Sequence, residues 1–142
     1  MVVFINKGAY IMSIIKEAID KGFYDYFLNN LKYRLENVDG KWCQKISDTS
    51  GRDFYETRPI EYMSFQEIED LKFEVIEDVG NEVDDDDFYN MFYDMYGNET
   101  SIEDELYKAG YAWSDESDFY ESLRQYMEET LFQKAFDSLS NN

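Results

Sequence analysis

The stretch "SFQEIEDLKFEVIEDVG" at 64–80 permits few conformations. Phe65, Ile68, Leu71, Val75, Ile76 and Val79 fall on one side at helical spacing, and Glu67, Asp70, Glu74, Glu77 and Asp78 fall on the other, with Glu69 at the flank. Ser64 and Glu67 stand at capping-box spacing before the apolar run, and Gly80 marks its expected end. A segment of this kind has to be an amphipathic helix with its apolar stripe packed inward. Its other face carries six acids and one base, Lys72, between Glu67 and Asp78, a net charge of −5 over twelve residues. At a helical rise of 1.5 Å per residue this is about one charge per 3.6 Å. One strand of B-DNA carries a charge about every 3.4 Å of axis.

That acidity belongs to one part of the chain. Of 142 residues, Lys and Arg number 13 and Asp and Glu 32, for a net charge of −19. Residues 1–58 hold nine bases and eight acids, whereas residues 59–142 hold four bases and 24 acids. The chain therefore reads as a near-neutral part, 1–58, with 1–11 an extension, followed by a strongly acidic helical part, 59–142. Salt adaptation would spread acid over the whole surface, and the asymmetry argues against it. With 44% hydrophobic and 18% aromatic residues, the chain has the apolar content for a core.

The remaining pattern is mainly helical. Ser13 caps a stripe of Ile15, Ala18, Ile19, Phe23, Tyr26, Phe27 and Leu31, kinked at Gly22 and ending before Gly40. The run "KWCQKISDTSGRDFYETRPI" breaks that period, and its "DTSG" turn predicts a small β-hairpin around 41–58 closed by Pro59. A third helix is predicted from the aspartates at 84–87 to Gly97, a short fourth from Thr100 or Ser101 to Gly110, and a last from about Asp115 to Leu139. The expected fold is a single compact α or α+β domain, mainly α, with about five helices and the small hairpin.

Several functions are disfavoured by what the chain lacks. Without histidine there is no Ser–His or Cys–His nucleophile, and no glycine loop is present to cradle phosphate. Tested against the glycines, no acidic run fits an EF-hand register. The single cysteine, Cys43, reads as a small buried hydrophobe and permits no internal disulfide. We therefore expect no enzyme, no metal and no cofactor. Direct nucleic-acid binding is disfavoured by the charge. No apolar run reaches a membrane span, and the N-terminus does not follow the order of a signal peptide.

The segment "VDDDDFYNMFYDMYGNETSIEDEL" sets Asp84, Asp85, Asp86 and Asp87 against a dense group of Phe, Tyr and Met. Carboxylates at a helix start cap free N–H groups and suit the helix dipole, but one or two suffice for that. Phe88, Met91, Phe92, Met95 and Tyr96 form one apolar face, which leaves Tyr89 and Tyr93 off it. The candidate partner-binding carboxylates are Glu67, Asp70, Glu74, Glu77, Asp78, Asp84, Asp85, Asp86, Asp87, Asp94, Glu103, Asp104, Asp118, Glu121 and Glu128, with Tyr89 and Tyr93 as aromatic anchors.

An acidic, aromatic-rich, histidine-free helical chain resembles the DNA-mimic anti-defence proteins of phages and mobile elements, which include anti-CRISPR and antirestriction proteins. The stretch "SIEDELYKAGYAWSDESDFYESLRQYMEET" at 101–130 is similar to the ArdA-type antirestriction family in its Ser-Ile-Glu start, acid-aromatic middle and Glu-Glu-Thr end. The N-terminal region does not match that family. The resemblance implies an inhibitor that occupies the nucleic-acid groove of a basic defence protein, a CRISPR-Cas effector or a restriction nuclease, in a host bacterial cytoplasm. An immunity protein neutralising a basic nuclease toxin is the alternative. An interaction protein with an incidental acidic face is the third reading, and a homodimer stays open.

Overall fold

In the computed structural model the residues described are 13–47, 55–92 and 100–140. Among them are six α-helices and a three-stranded sheet, so the chain is mainly α with a small β element. The helices are α1 (Ile14–Asp20), α2 (Phe23–Arg34), α3 (Phe65–Glu82), α4 (Asp85–Phe92), α5 (Thr100–Lys108) and α6 (Glu116–Ser140). Strands β1 (Glu36–Val38), β2 (Lys41–Ser47) and β3 (Tyr55–Pro59) pair antiparallel in the order β1-β2-β3, and a 3-10 turn, Ile60–Tyr62, follows.

The expected kink at Gly22 is a full break, which accounts for the helix beyond the five expected. Gly22 has φ +88°, a left-handed conformation that ends α1, and Phe23 opens α2 directly after it. The segment expected to finish the first helix instead forms β1. Asp39 and Gly40 both have positive φ, 53° and 87°, and the Asn37 Oδ1 accepts from the Gly40 N–H at 3.1 Å. This two-residue turn matches the twist of paired strands and places Val38 opposite Lys41. Strand β2 then pairs with β3 from Cys43 opposite Pro59 to Ser47 opposite Tyr55, the hairpin anticipated around 41–58. Pro59 is the last residue of β3, an edge strand, where proline is tolerated. The turn residues 48–51 lie outside the described residues.

The capping box of α3 is formed. The Glu67 N–H donates to the Ser64 Oγ at 3.2 Å, and the Ser64 N–H donates to the Glu67 Oε1 at 2.9 Å. The helix runs through Gly80 to Glu82 instead of stopping there. Burial of Val79 beside it outweighs the ~1 kcal/mol that a mid-helix glycine costs. Helix α5 ends as expected near Gly110 (φ +96°), with Tyr111 N–H donating to the Leu106 carbonyl and Gly110 N–H to that of Tyr107. Asp115 caps α6, its Oδ1 accepting from the Asp118 N–H at 2.8 Å.

The chain forms two compact units, residues 1–23 with 83–130, and residues 24–82 with 131–142. In the first, Ile14, Ala18, Phe88, Ile102, Leu106, Phe119 and Leu123 are buried. In the second, Phe27, Leu31, Cys43, Val75, Leu131, Phe132 and Ala135 are buried. Among the described residues no polar or charged side chain is fully buried and no helix is long and apolar enough to cross a membrane.

Candidate acidic surface

On α3 the buried line is narrow, confined to Leu71, Val75 and Val79. Ile68 and Ile76 are half-buried. Phe65, expected on the inward side, is instead 78% exposed, because it sits at the first turn of the helix and outside that line. Phe73 is 72% exposed in the middle of the outer face. Of the predicted carboxylates, Asp70, Glu74 and Glu77 are exposed, and Glu67 and Asp78 are half-buried.

Two arginines hold part of this face. The Arg34 Nε donates to the Asp78 Oδ2 at 2.5 Å, its Nη2 to Oδ1 at 3.0 Å, and its Nη1 to the Glu74 Oε2 at 3.0 Å. The fork geometry of guanidinium lets one side chain hold both carboxylates. The Arg34 hydrogen bonds keep Asp78 below the usual carboxylate range. Glu67 is held by Arg58 and Gln44, each at 2.7 Å from its Oε2. Hydrogen bonding from the Ser64 backbone, then from Gln44, lowers the Glu67 carboxyl to about 2. A cavity of about 440 Å³ runs past Tyr33, Arg34, Lys45, Glu67, Asp70 and Glu74, so its lining mixes both signs of charge.

In the other unit, Asp84, Asp85, Asp86 and Asp87 are all exposed at the start of α4. The Asp84 carbonyl accepts from the N–H groups of Asp87 and Phe88, which makes Asp84 the cap. Asp85 pairs with Arg124, whose guanidinium also lies over the Phe88 ring, 5.4 Å from its centroid. Glu128, expected on the outer side of α6, has only 15% of its side chain exposed and lies 3.7 Å from Arg124. Burial raises its carboxyl above the usual range against the pull of Arg124. It cannot present a phosphate-like charge as an open carboxylate would. Asp104, Asp118 and Glu121 are exposed and Glu103 is half-buried. Asp118 accepts from the Ser114 hydroxyl at 2.7 Å. The Tyr89 side chain, Tyr93 and Asp94 lie outside what the structure describes.

Carboxylates absent from the sequence-based set tie this unit together. Glu105 accepts from the Ile14 N–H at 2.9 Å, capping α1 from a distant helix, and from the Tyr126 hydroxyl at 2.7 Å. Glu129 accepts from the Tyr111 hydroxyl at 2.6 Å. Burial, then the carboxylate, pushes the Tyr111 phenol up to about 12 and raises that of Tyr126 as well. The two rings meet edge to face at 5.9 Å. The partners stand 18 and 21 positions apart, so no local spacing in the sequence signals these pairs.

Among the described residues no group of three or more His, Cys, Asp or Glu side chains is placed to hold a metal ion. All three arginines described, Arg34, Arg58 and Arg124, are bound to carboxylates of their own unit. Neither family models, nor curated proteins, nor solved structures give a match to this chain.

Proposed function

We propose that this chain is an acidic inhibitor of a basic nucleic-acid-binding protein. Its exposed carboxylates occupy the groove in which that protein, a CRISPR-Cas effector or restriction nuclease of the cell, holds phosphates. It works by occupancy, without catalysis and without touching nucleic acid itself. The observation that carries the reading is the use of charge. Residues 59–142 hold 24 acids against four bases, and the arginines described are engaged by internal carboxylates. Asp70, Glu77, Asp86, Asp87, Asp104 and Glu121 are left on open surface. Self-repulsion of this size works against a compact state, so a chain that folds despite it has a use for the field.

The test is a competition. Guide-loaded Cas effectors and restriction nucleases are titrated with the protein in the presence of labelled target DNA, and bound DNA is read by mobility shift. Displacement that is strong at low salt and fades as salt screens the carboxylates is expected. A nuclease that binds DNA and this protein together, with affinity for each unchanged, would refute the reading for that nuclease.

A further inference from the structure

Helix α3 presents a row in which aromatic and acid alternate one turn apart: Phe65, Glu69, Phe73 and Glu77. Positions four apart lie above one another on a helix, about 5–6 Å between Cβ atoms. Phe65 and Phe73 are 78% and 72% exposed. Glu77 is exposed, and Glu69 is held by Lys72 at 2.9 Å with 37% of its side chain still open. Asp70, three residues before Phe73, is exposed on its other side. A phenyl ring this open beside three carboxylates gains nothing from the fold, and large exposed apolar side chains mark contact surfaces.

Resting on the function proposed above, we infer that this row is where the partner is gripped, and that Phe73 stacks against arginine side chains of the partner. The guanidinium group is a flat cation that lies over an aromatic face while its N–H groups reach carboxylates, and Phe73 has acids one turn to either side. Lysine can pair with the acids as a point charge but lacks the planar group to stack. A second copy of this chain is a poor occupant, because each copy carries −19. The row thus supplies selectivity for arginine that exposed ion pairs do not supply by themselves. Tyr89 and Tyr93 are not needed for that role.

The experiment uses the full chain with nona-arginine and nona-lysine peptides as probes, by calorimetry at low and moderate salt, with melting curves to confirm folding. Phe73→Ala should weaken nona-arginine binding about two- to fivefold and leave its salt dependence intact. Nona-lysine binding should change less, and Phe73→Trp should restore or tighten the arginine complex. Glu77→Gln should weaken both probes and flatten the salt dependence. Phe73→Ala binding nona-arginine as the parent does would overturn the inference and leave the proposed function standing. Equal weakening of both probes would overturn the assignment to arginine. Failure of the parent to bind nona-arginine at low salt would overturn the proposed function itself.

Discussion

Replacing Arg34 should expose how much of the acidic helix α3 is held down from within. Arg34 makes two hydrogen bonds to Asp78 and one to Glu74, and Arg34→Met keeps most of the stem while removing all three. A charge-assisted bond that is well buried contributes about 1.5–3 kcal/mol, while exposed pairs contribute about 0.2–1 kcal/mol. The side chains of Arg34, Glu74 and Asp78 are 34%, 53% and 25% exposed, so solvent screens the Glu74 bond heavily and the Asp78 fork less. Removal also leaves Glu74, Glu77 and Asp78 without their nearest cation, and the added repulsion falls with salt. Together this gives a loss of about 1–2 kcal/mol at low ionic strength, or about 3–6 °C of melting temperature at roughly 3 °C per kcal/mol. Arg34→Lys keeps the charge without the fork and should fall between. The assay is thermal melting by circular dichroism at low salt and near 1 M salt. A melting temperature unchanged at low salt, or a loss that does not shrink with salt, would refute the account of Glu74 and Asp78 as acids restrained by the Arg34 guanidinium.

Other perturbations follow from the same geometry. The Glu128 carboxyl is raised above its ordinary value of 4.5 by burial, so the folded state holds that proton more tightly than the unfolded one, and the contribution is present below pH 4.5 and lost as pH rises. Glu128→Gln should therefore match or exceed the parent in stability at pH 7, with less dependence on pH above 4.5, as read by urea unfolding across pH. Glu67 is shifted the other way, to about 2, so its contribution is present above its ordinary 4.5 and lost as pH falls toward 2. Glu67→Gln should leave less stability to lose over that acid range, seen as a flatter acid titration of the circular dichroism signal. Gly40→Ala meets no atom within 4 Å but puts a Cβ at φ +87°, and should cost about 1 kcal/mol in urea unfolding. Changing Asp84 to Asp87 to Asn together should weaken inhibition and flatten its salt dependence with little change in melting temperature, and full inhibition by that variant would leave those aspartates as a helix cap alone.

How far these features could be read from sequence depends on how local their causes are. The capping box at Ser64 and Glu67, the stop at Gly110 and the cap at Asp115 each rest on contacts within five residues, and all three are in place. The Asp39–Gly40 turn was equally local, but the helical stripe before it ran as far as Leu31 and drew the expected helix on toward residue 39. Charge pairing is not local. Arg34 reaches Asp78 across 44 positions and Arg124 reaches Asp85 across 39. A wheel drawn on α3 or α6 separates acids from apolar residues, yet it cannot show which acids another element has claimed. This is why Glu128 looked like open surface and is nearly closed off. The exposure of Phe65 escaped for the matching reason, since a phenylalanine at helical spacing is normally counted inward, and Phe73 lay off the apolar stripe without being assigned a role.

The acids divide according to what lies opposite them. Where the fold supplies a donor, the carboxylate turns inward and becomes structure, as Glu105 does for the Ile14 N–H and Tyr126, Glu129 for Tyr111, and Asp78 for Arg34. Tyrosine hydroxyls and backbone N–H groups serve here because residues 59–142 hold only four bases. Neutral donors satisfy a carboxylate without cancelling its charge, so Glu105 and Glu129, unlike Asp78, still add to the field outside. Within their unit the exposed Asp104 and Glu121 are thereby backed by further negative charge, which an approaching cation would feel before contact. A chain that tied its interior with lysine–carboxylate pairs would fold as readily and lose that reach. Tying with tyrosine instead lets a small unit stay strongly acidic and still close its core.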